Sequence, residues 1–321
     1  MGPGVFYGSP SGQIIYGCTL GDSNLCAVTG EGQAAHGIGY GDSVSPDGRW
    51  IASAGDQYGS YSVNGSVTVA PISDLQAVKT IWRFTGTDTL PPSWSPDSRT
   101  LAVVTGAPDL YTPKRPTPAG LWVMGQNGSK PHLISGAATG PTAWDPSGTH
   151  IAFLVGGTGP ATTMTVQSIP AAGGAAITLA HVPEAPWSSV TLSWSPDGQT
   201  ILLAEEVVGP ISKLGHSRLL AIPAQGGSPR QLISASSSNG IEGAFYSPGG
   251  TQVVMSVVCK WGTETNNEAA GIVVANSTFT QFYPLGSTDS STTFCPLPLI
   301  STLPMQQRVG SLIGWVRDPD L

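Results

Sequence analysis

The sequence predicts an all-β protein, a six-bladed β-propeller of four-stranded antiparallel blades, and three observations lead there. The first is a phrase that returns down the chain. It is clearest at Leu192–Leu202 (LSWSPDGQTIL), where Trp194 ends an apolar run and Ser195-Pro196 holds the backbone extended. Asp197-Gly198 then turns the chain and Ile201-Leu202-Leu203 opens the next run. Versions stand at 44–48 (VSPDG), 94–98 (WSPDS), 144–148 (WDPSG) and 246–250 (YSPGG), with a worn first copy at 7–12 (YGSPSG). The second observation is spacing: Pro10, Pro46, Pro96, Pro146, Pro196 and Pro248 lie 36, 50, 50, 50 and 52 residues apart. That period belongs to arrays whose units bury their faces against one another, so the whole chain is expected to be one domain. The third is composition: charged residues are 10%, with 42 Gly and 28 Pro, which favours turns over long charged helices.

The units fall near residues 5–38, 39–86, 90–136, 140–182, 188–235 and 240–285, with an extension at 286–321. Each unit after the first divides into strands A to D. The third reads Pro92–Ser95, Thr100–Thr105, Gly120–Met124 and His132–Ser135, with 125–128 (GQNG) as the C–D turn. The fourth repeats it with Thr142–Trp144, Ile151–Val155, Met164–Ile169 and Ala176–Ala180, and the fifth with Thr191–Trp194, Ile201–Glu205, Arg218–Ile222 and Arg230–Ile233. The second (Ile51–Ala54, Ser66–Pro71, Lys79–Phe84) and sixth (Gln252–Val258, Gly271–Ala275, Thr278–Tyr283) follow with more drift. Sheets repeated around an axis leave only short, protected edges. The tail segment Leu312–Val316 reads as a further strand. Either it pairs into the short first unit and closes the ring, or Val5–Tyr7 already supplies the inner strand and the tail clasps the outside.

The Trp-Ser-Pro-Asp-Gly phrase followed by Ile-Ala or Ile-Leu resembles the repeat of TolB-like propellers, also found in the propellers of prolyl oligopeptidase-type enzymes. The resemblance covers nearly the whole chain and implies the fold. It does not imply one function. The periplasmic namesake carries a small α/β domain before its propeller, and no such segment precedes the repeats here, so its cellular role is not carried over.

Charge and composition exclude several classes. A net charge of −7 and a pI near 5.1 argue against nucleic acid and anionic membrane surfaces, both of which need a basic stripe. No apolar run of membrane-spanning length and no charged-then-apolar signal peptide occurs, and the early start of the repeats is expected of a piece of a longer precursor whose export signal or membrane anchor was removed. Cys18 and Cys26 flank a turn sequence (GDSN), which suits a hairpin disulfide, and Cys259 with Cys295 would then tie the last unit to the extension. Disulfides place the protein in an extracellular or periplasmic setting; buried free thiols are the other reading.

Several motifs carry less than they suggest. Asp47, Asp97 and Asp197 recur at A–B turns, where Asp caps and Gly supplies a positive φ, and Trp94, Trp144 and Trp194 are expected to pack between blades. Gly21-Asp22-Ser23 and Gly41-Asp42-Ser43 echo a serine esterase start without the downstream Asp-x-x-His, and no Gly-x-Ser-x-Gly elbow occurs. The five histidines are scattered singly, so neither a metal nor a cofactor is expected. Asn64, Asn127 and Asn276 match glycosylation acceptors but sit where hairpin turns want Asn.

The irregular parts of the repeat are its B–C loops, so function is expected on that face. Those loops bring Tyr58 and Tyr61, Tyr111 with Lys114 and Arg115, Lys213 with His216, and Lys260 with Trp261 and Glu264; the 182–189 connection adds Glu184 and Trp187. Aromatic and cationic side chains on loops are typical of recognition surfaces. The expected function is therefore a non-catalytic binding propeller for a protein, peptide or glycan. The alternative is a propeller hydrolase or lyase whose acids, among Glu184, Glu205, Glu206, Glu242 and Asp56, converge at the central channel.

Overall fold

The computed structural model describes residues 4–8, 14–17, 42–56, 64–74, 77–85, 90–106, 117–156, 163–182, 187–207, 216–236, 239–260, 268–285, 293–294, 304–305 and 312–316. These residues form strands and turns and contain no helix. Two strands, β1 (Gly4–Gly8) and β2 (Ile14–Gly17), open the chain. The first four-stranded sheet holds β3 (Asp42–Val44), β4 (Trp50–Asp56), β5 (Asn64–Pro71) and β6 (Lys79–Thr85). The next holds β7 (Ser93–Trp94), β8 (Thr100–Thr105), β9 (Gly120–Gly125) and β10 (His132–Ser135). Then come β11 (Thr142–Trp144), β12 (His150–Val155), β13 (Met164–Pro170) and β14 (Ile177–Val182). The fifth unit holds β15 (Trp187–Trp194), β16 (Thr200–Val207), β17 (His216–Pro223) and β18 (Arg230–Ser236). The sixth holds β19 (Asn239–Tyr246), β20 (Gln252–Lys260), β21 (Glu268–Asn276) and β22 (Phe282–Leu285). A small hairpin, β23 (Thr293–Phe294) with β24 (Pro304–Met305), precedes β25 (Leu312–Val316). Each four-stranded sheet is an antiparallel meander in sequence order, the predicted A-to-D scheme.

The tail enters the first sheet. β25 pairs antiparallel with β1, whose other edge pairs with β2, giving the order β2-β1-β25. β25 also lies against β3 and β19, the innermost strands of the second and sixth units, so it holds the inner position of its sheet and is not an outer clasp.

The A–B turns explain the recurring phrase. Each spans five residues, 45–49, 95–99, 145–149, 195–199 and 247–251. In three of them the Ser hydroxyl donates to the Asp carboxylate two residues on, at 2.5 Å (Ser45), 2.6 Å (Ser95) and 2.6 Å (Ser195). The same hydroxyl accepts the amide of the first B-strand residue, Trp50, Thr100 or Thr200, at 2.9 Å. Position four needs a left-handed backbone. Gly48, Gly148, Gly198 and Gly250 have φ of 68°, 71°, 74° and 71°, and Ser98 adopts 61° without being glycine. In the fourth unit Asp145 replaces the serine and takes the His150 amide at 2.8 Å, with Ser147 and Thr149 donating to its other oxygen. Burial alone would raise the Asp145 pKa, but these donors outweigh it and hold the carboxyl below its usual value.

The core lies between sheets. Ala52, Ala54, Val67 and Val69 of the second unit meet Trp94, Leu101, Val103 and Met124 of the third in one cluster, and Trp144 and Trp194 fill the two following wedges. Trp94 Nε1 donates to Ser43 O at 3.2 Å and Trp144 Nε1 to Ser93 O at 3.1 Å, so each indole also ties its inner strand to the preceding one. Further polar ties join neighbours: Ser93 Oγ and Thr142 Oγ1 at 2.6 Å, and the Ala244 and Tyr246 amides to Thr191 Oγ1 and Ser193 Oγ at 3.2 and 3.1 Å. On the outer side the C–D turn of one unit sits on the D strand of the unit before. A Cβ on Gly128, whose φ is 78°, would lie 2.0 Å from Ile81 O, and the Gly227 amide donates to Leu179 O at 2.9 Å.

Candidate functional site

Both ends of the sheets carry connections, but of different kinds. One end holds the hydrogen-bonded five-residue turns just described. At the other, the B–C connections run through 57–63, 106–119, 156–163, 208–215 and 261–267, unequal in length and composition. Tyr58, Tyr61, Tyr111, Lys114, Arg115, Glu184, Lys213, Trp261 and Glu264 lie outside the described residues, as do Cys18, Cys26 and Cys295. Several residues expected on loops lie in strands. Asp56 belongs to β4, Trp187 to β15, Glu206 to β16, His216 to β17, and Cys259 and Lys260 to β20. The reason is that the B–C hairpins keep pairing beyond the buried core, as in Asp56↔Gly65, Val207↔His216 and Lys260↔Glu268.

Glu205 is an expected site residue that lies within the described residues. It is buried near the loop end of β16, directly across the ladder from Arg218 on β17, and its Oε1 accepts a hydrogen bond from Arg218 Nε. The Arg218 side chain is 14% exposed and that of Glu205 not at all. Beside the pair, the buried Ser217 hydroxyl donates to Glu205 O at 3.1 Å and accepts the Ile241 amide at 2.7 Å, which ties this corner to β19. The turn phrase fixes the equivalent positions elsewhere. Gly55, Thr105, Val155 and Val257 stand where Glu205 does, opposite Ser66, Gly120, Thr165 and Gly271. A buried ion pair is thus peculiar to the fifth unit among these positions, and the repeat does not require it.

Two inner strands bulge at the same end. The β15–β16 register slips between Trp187 and Ser189, and the β19–β20 register between Ile241 and Gly243, which leaves Glu242 as the extra residue. Bulges re-aim side chains at the rims of sheets. Sequence reasoning missed Arg218 as a partner, although its signal is legible: a charge at the head of the apolar run 219–222 of the C strand, facing the odd Glu of the B strand.

A second group went unremarked in the sequence. Trp82 of β6 lies 5.1 Å, centroid to centroid, from Phe84 on one side and from Trp122 of β9 on the other, tilted by 37° and 47°. Trp122 Nε1 donates to Pro118 O at 3.0 Å. Leu133 of β10 stands directly opposite Trp122 and is exposed.

At the turn end, Tyr246 takes the place of the repeat tryptophan. Burial pushes its phenol up to about 12; the neighbouring Asp197 adds to the shift and Arg230 opposes it. The hydrogen bonds of Ser195 and the Gln199 amide hold Asp197 itself below its usual value.

This arrangement defines an all-β propeller, and its fold is that of TolB-like propellers. No family model and no curated protein matches the chain. Among solved structures it is similar to TolB from Acinetobacter baumannii, with 15% identity and a TM-score of 0.53, covering 78% of this chain and 57% of that one. A nidogen/laminin complex matches with 12% identity and a TM-score of 0.59, covering 98% of each chain. An oligogalacturonate lyase in complex with manganese matches with 14% identity and a TM-score of 0.51, over 81% of this chain and 74% of that one. The chain thus spans little more than half the length of the Acinetobacter protein.

Proposed function

We infer that the chain is a six-bladed, non-catalytic binding propeller of the periplasm, cell envelope or extracellular space that holds a protein, peptide or glycan on its B–C loop face. The observation that carries the reading is the contrast between the two ends of the sheets. One end is held to a uniform five-residue turn by repeated Ser–Asp bonds, while the other varies in every unit and has bulges at its rim. Tyr58, Tyr61, Tyr111, Lys114, Arg115, Glu184, Trp187, Lys213, His216, Lys260 and Trp261 supply the aromatic and charged contacts of that face. Glu205 supports it from below: bound to Arg218 without exposed surface, it stiffens the mouth of the fifth unit instead of meeting solvent. The neighbours whose structures contain TolB and nidogen with laminin agree with a partner-binding role. The disulfides Cys18–Cys26 and Cys259–Cys295 belong to the same reading, and four free thiols in the denatured, unreduced protein would remove them.

The competing reading is a polysaccharide lyase or hydrolase, kept in play by the likeness to the manganese-bound lyase. The deciding experiment is a pull-down from the source organism's envelope fraction beside a turnover screen on polysaccharides and peptides. Loss of a partner on substituting Tyr111, Arg115, Trp187 and Trp261 by Ala, with recovery intact on substituting Gln225, supports binding at the loop face. Turnover by the wild-type protein would replace the proposal with the enzyme reading.

A further inference from the structure

We propose that the outer flank between the second and third units, built on Trp82, Trp122 and Leu133, is a docking site for an acidic peptide segment of a partner protein, anchored by a large apolar side chain. This site is separate from the loop face. Trp82 and Trp122 are half-buried, and Leu133 is 39% exposed, one of two large apolar side chains exposed among the described residues. Leu133 and Trp122 face each other across β9 and β10, so both side chains stand on one side of that sheet. That side is the one turned to the second unit, because Trp122 packs with Trp82 on the cluster those two units share.

The repeat does not ask for these residues. The positions equivalent to Trp122 and Leu133 hold Thr68 and Thr80 in the second unit, Gln167 and Thr178 in the fourth, and Leu220 and Gln231 in the fifth. The position of Trp82 holds Ser135 in the third unit, Ala180 in the fourth, Ile233 in the fifth and Leu285 in the sixth. Apolar residues stand at these positions in the fifth and sixth units too, but Leu220, Ile233 and Val273 there are buried, whereas here two half-buried tryptophans adjoin an exposed leucine. Trp at the margin of a patch with a neighbouring aliphatic group is the composition of an interface anchor.

Charge selects the partner. The protein carries 20 acidic residues against 13 Lys and Arg, yet β6, β9, β10 and the turn 126–131 contain no Asp or Glu. On these elements the exposed Lys79 stands opposite Val69 of the shared cluster and the exposed Lys130 lies in the turn, while Arg83, opposite Ser66, and His132, opposite Val123, belong to the other faces of their sheets. The turn that bears Lys130 is brought against β6 by the close approach of Gly128 to Ile81 O. An isolated cationic flank on an acidic protein steers anionic groups to it. A peptide suits it better than a sugar. The two half-buried rings, Trp82 and Trp122, are tilted by 47° to one another, so they do not form the flat platform a pyranose stacks on.

The test selects a random peptide library displayed on phage against the wild-type protein, and measures the enriched peptides by fluorescence anisotropy. Peptides combining Asp or Glu with a large apolar residue are expected. Leu133→Ser, Lys79→Glu and Lys130→Glu, all at exposed positions, should each weaken them on the order of tenfold, with melting temperatures unchanged. The loop-face variants Tyr111→Ala and Arg115→Ala should bind them as the wild type does, so failure at one face is distinguishable from failure at the other. Peptides without acidic enrichment, or equal affinity for Lys130→Glu, would overturn the proposal. So would a glycan array in which acidic glycans bind through Leu133 and the selected peptides do not.

Discussion

Glu205 and Arg218 face each other across β16 and β17 as an ion pair enclosed by apolar strands, with Leu203, Ala204 and Leu219 beside them fully buried. Breaking such a pair leaves one charge without its counterion, which costs about 3–5 kcal/mol, whereas replacing both partners by groups of suitable shape is often neutral or stabilising. Glu205→Gln should therefore lower stability markedly. The double variant Glu205→Val/Arg218→Thr, copied from Val155 and Thr165 of the fourth unit, should restore most of the loss. Denaturant melts of both proteins check this, and a double variant as unstable as the single one would refute it.

The repeat tryptophans should separate in a substitution series. Trp94 and Trp144 each donate to a backbone carbonyl of the preceding inner strand, while the buried Trp194 Nε1 has no partner among the described residues. Phe at 94 or 144 removes a bond worth about 1 kcal/mol and leaves a carbonyl unsatisfied. Phe at 194 instead removes a buried donor that already lacks an acceptor, so it should cost less than either, as read from thermal unfolding.

Two turn glycines, one in a C–D turn and one in an A–B turn, should respond in opposite ways to alanine. Gly128 has a positive φ and the Ile81 carbonyl 2.0 Å from where a Cβ would be, so Gly128→Ala should destabilise by more than about 1 kcal/mol. Gly249 has nothing within 4 Å of that point and an ordinary φ, so Gly249→Ala should be neutral or stabilise by a few tenths to about 1 kcal/mol. Paired denaturant midpoints test the difference.

Removing the chain after Gly310 deletes β25 and strips β1 of one of its two partners. Because β25 also lies against β3 and β19, the damage should spread to both flanking units, and the melting temperature of the whole protein should fall. A truncated protein that melts like the full chain would remove β25 from the structure's essential parts.

Tyr246 predicts an alkaline effect. Its phenol ionises near 12 in the folded protein but near 10 when unfolded, so the folded state holds its proton longer. Its contribution is complete below about pH 10 and is lost as pH rises from there toward 12. Tyr246→Phe should flatten that part of the stability curve, measured by urea unfolding at stepped alkaline pH.

How much of this was legible in the sequence depends on whether a feature repeats. The Ser195–Asp197 turn recurs with its hydroxyl, its carboxylate and its left-handed fourth residue, so one copy explains the others and the strands follow. The inner position of β25 left two readings open, because a strand sequence says what pairs but not on which side. Arg218 was named as the start of a strand and not as a partner, since only the alignment of Glu205 with Val155 and Gly55 exposes the pair. The Trp82–Trp122–Leu133 flank escaped for the opposite reason: it joins residues of three strands whose proximity no spacing encodes. A similar cause explains Ser43. Where Ser93 meets Thr142, the counterpart of Thr142 for Ser43 is Pro92, and the buried Ser43 hydroxyl has no partner among the described residues.

The pairing of β1 with β25 also sets how the molecule would respond to force. Gly4 stands opposite Val316, so the outer ends of the two strands lie at the same end of their ladder. Traction applied there would load the inter-strand hydrogen bonds one after another, as a zip is opened, and not all together in shear. A tether attached at the two ends should therefore open this seam at low load, while one attached within the central sheets meets ladders that must fail in parallel.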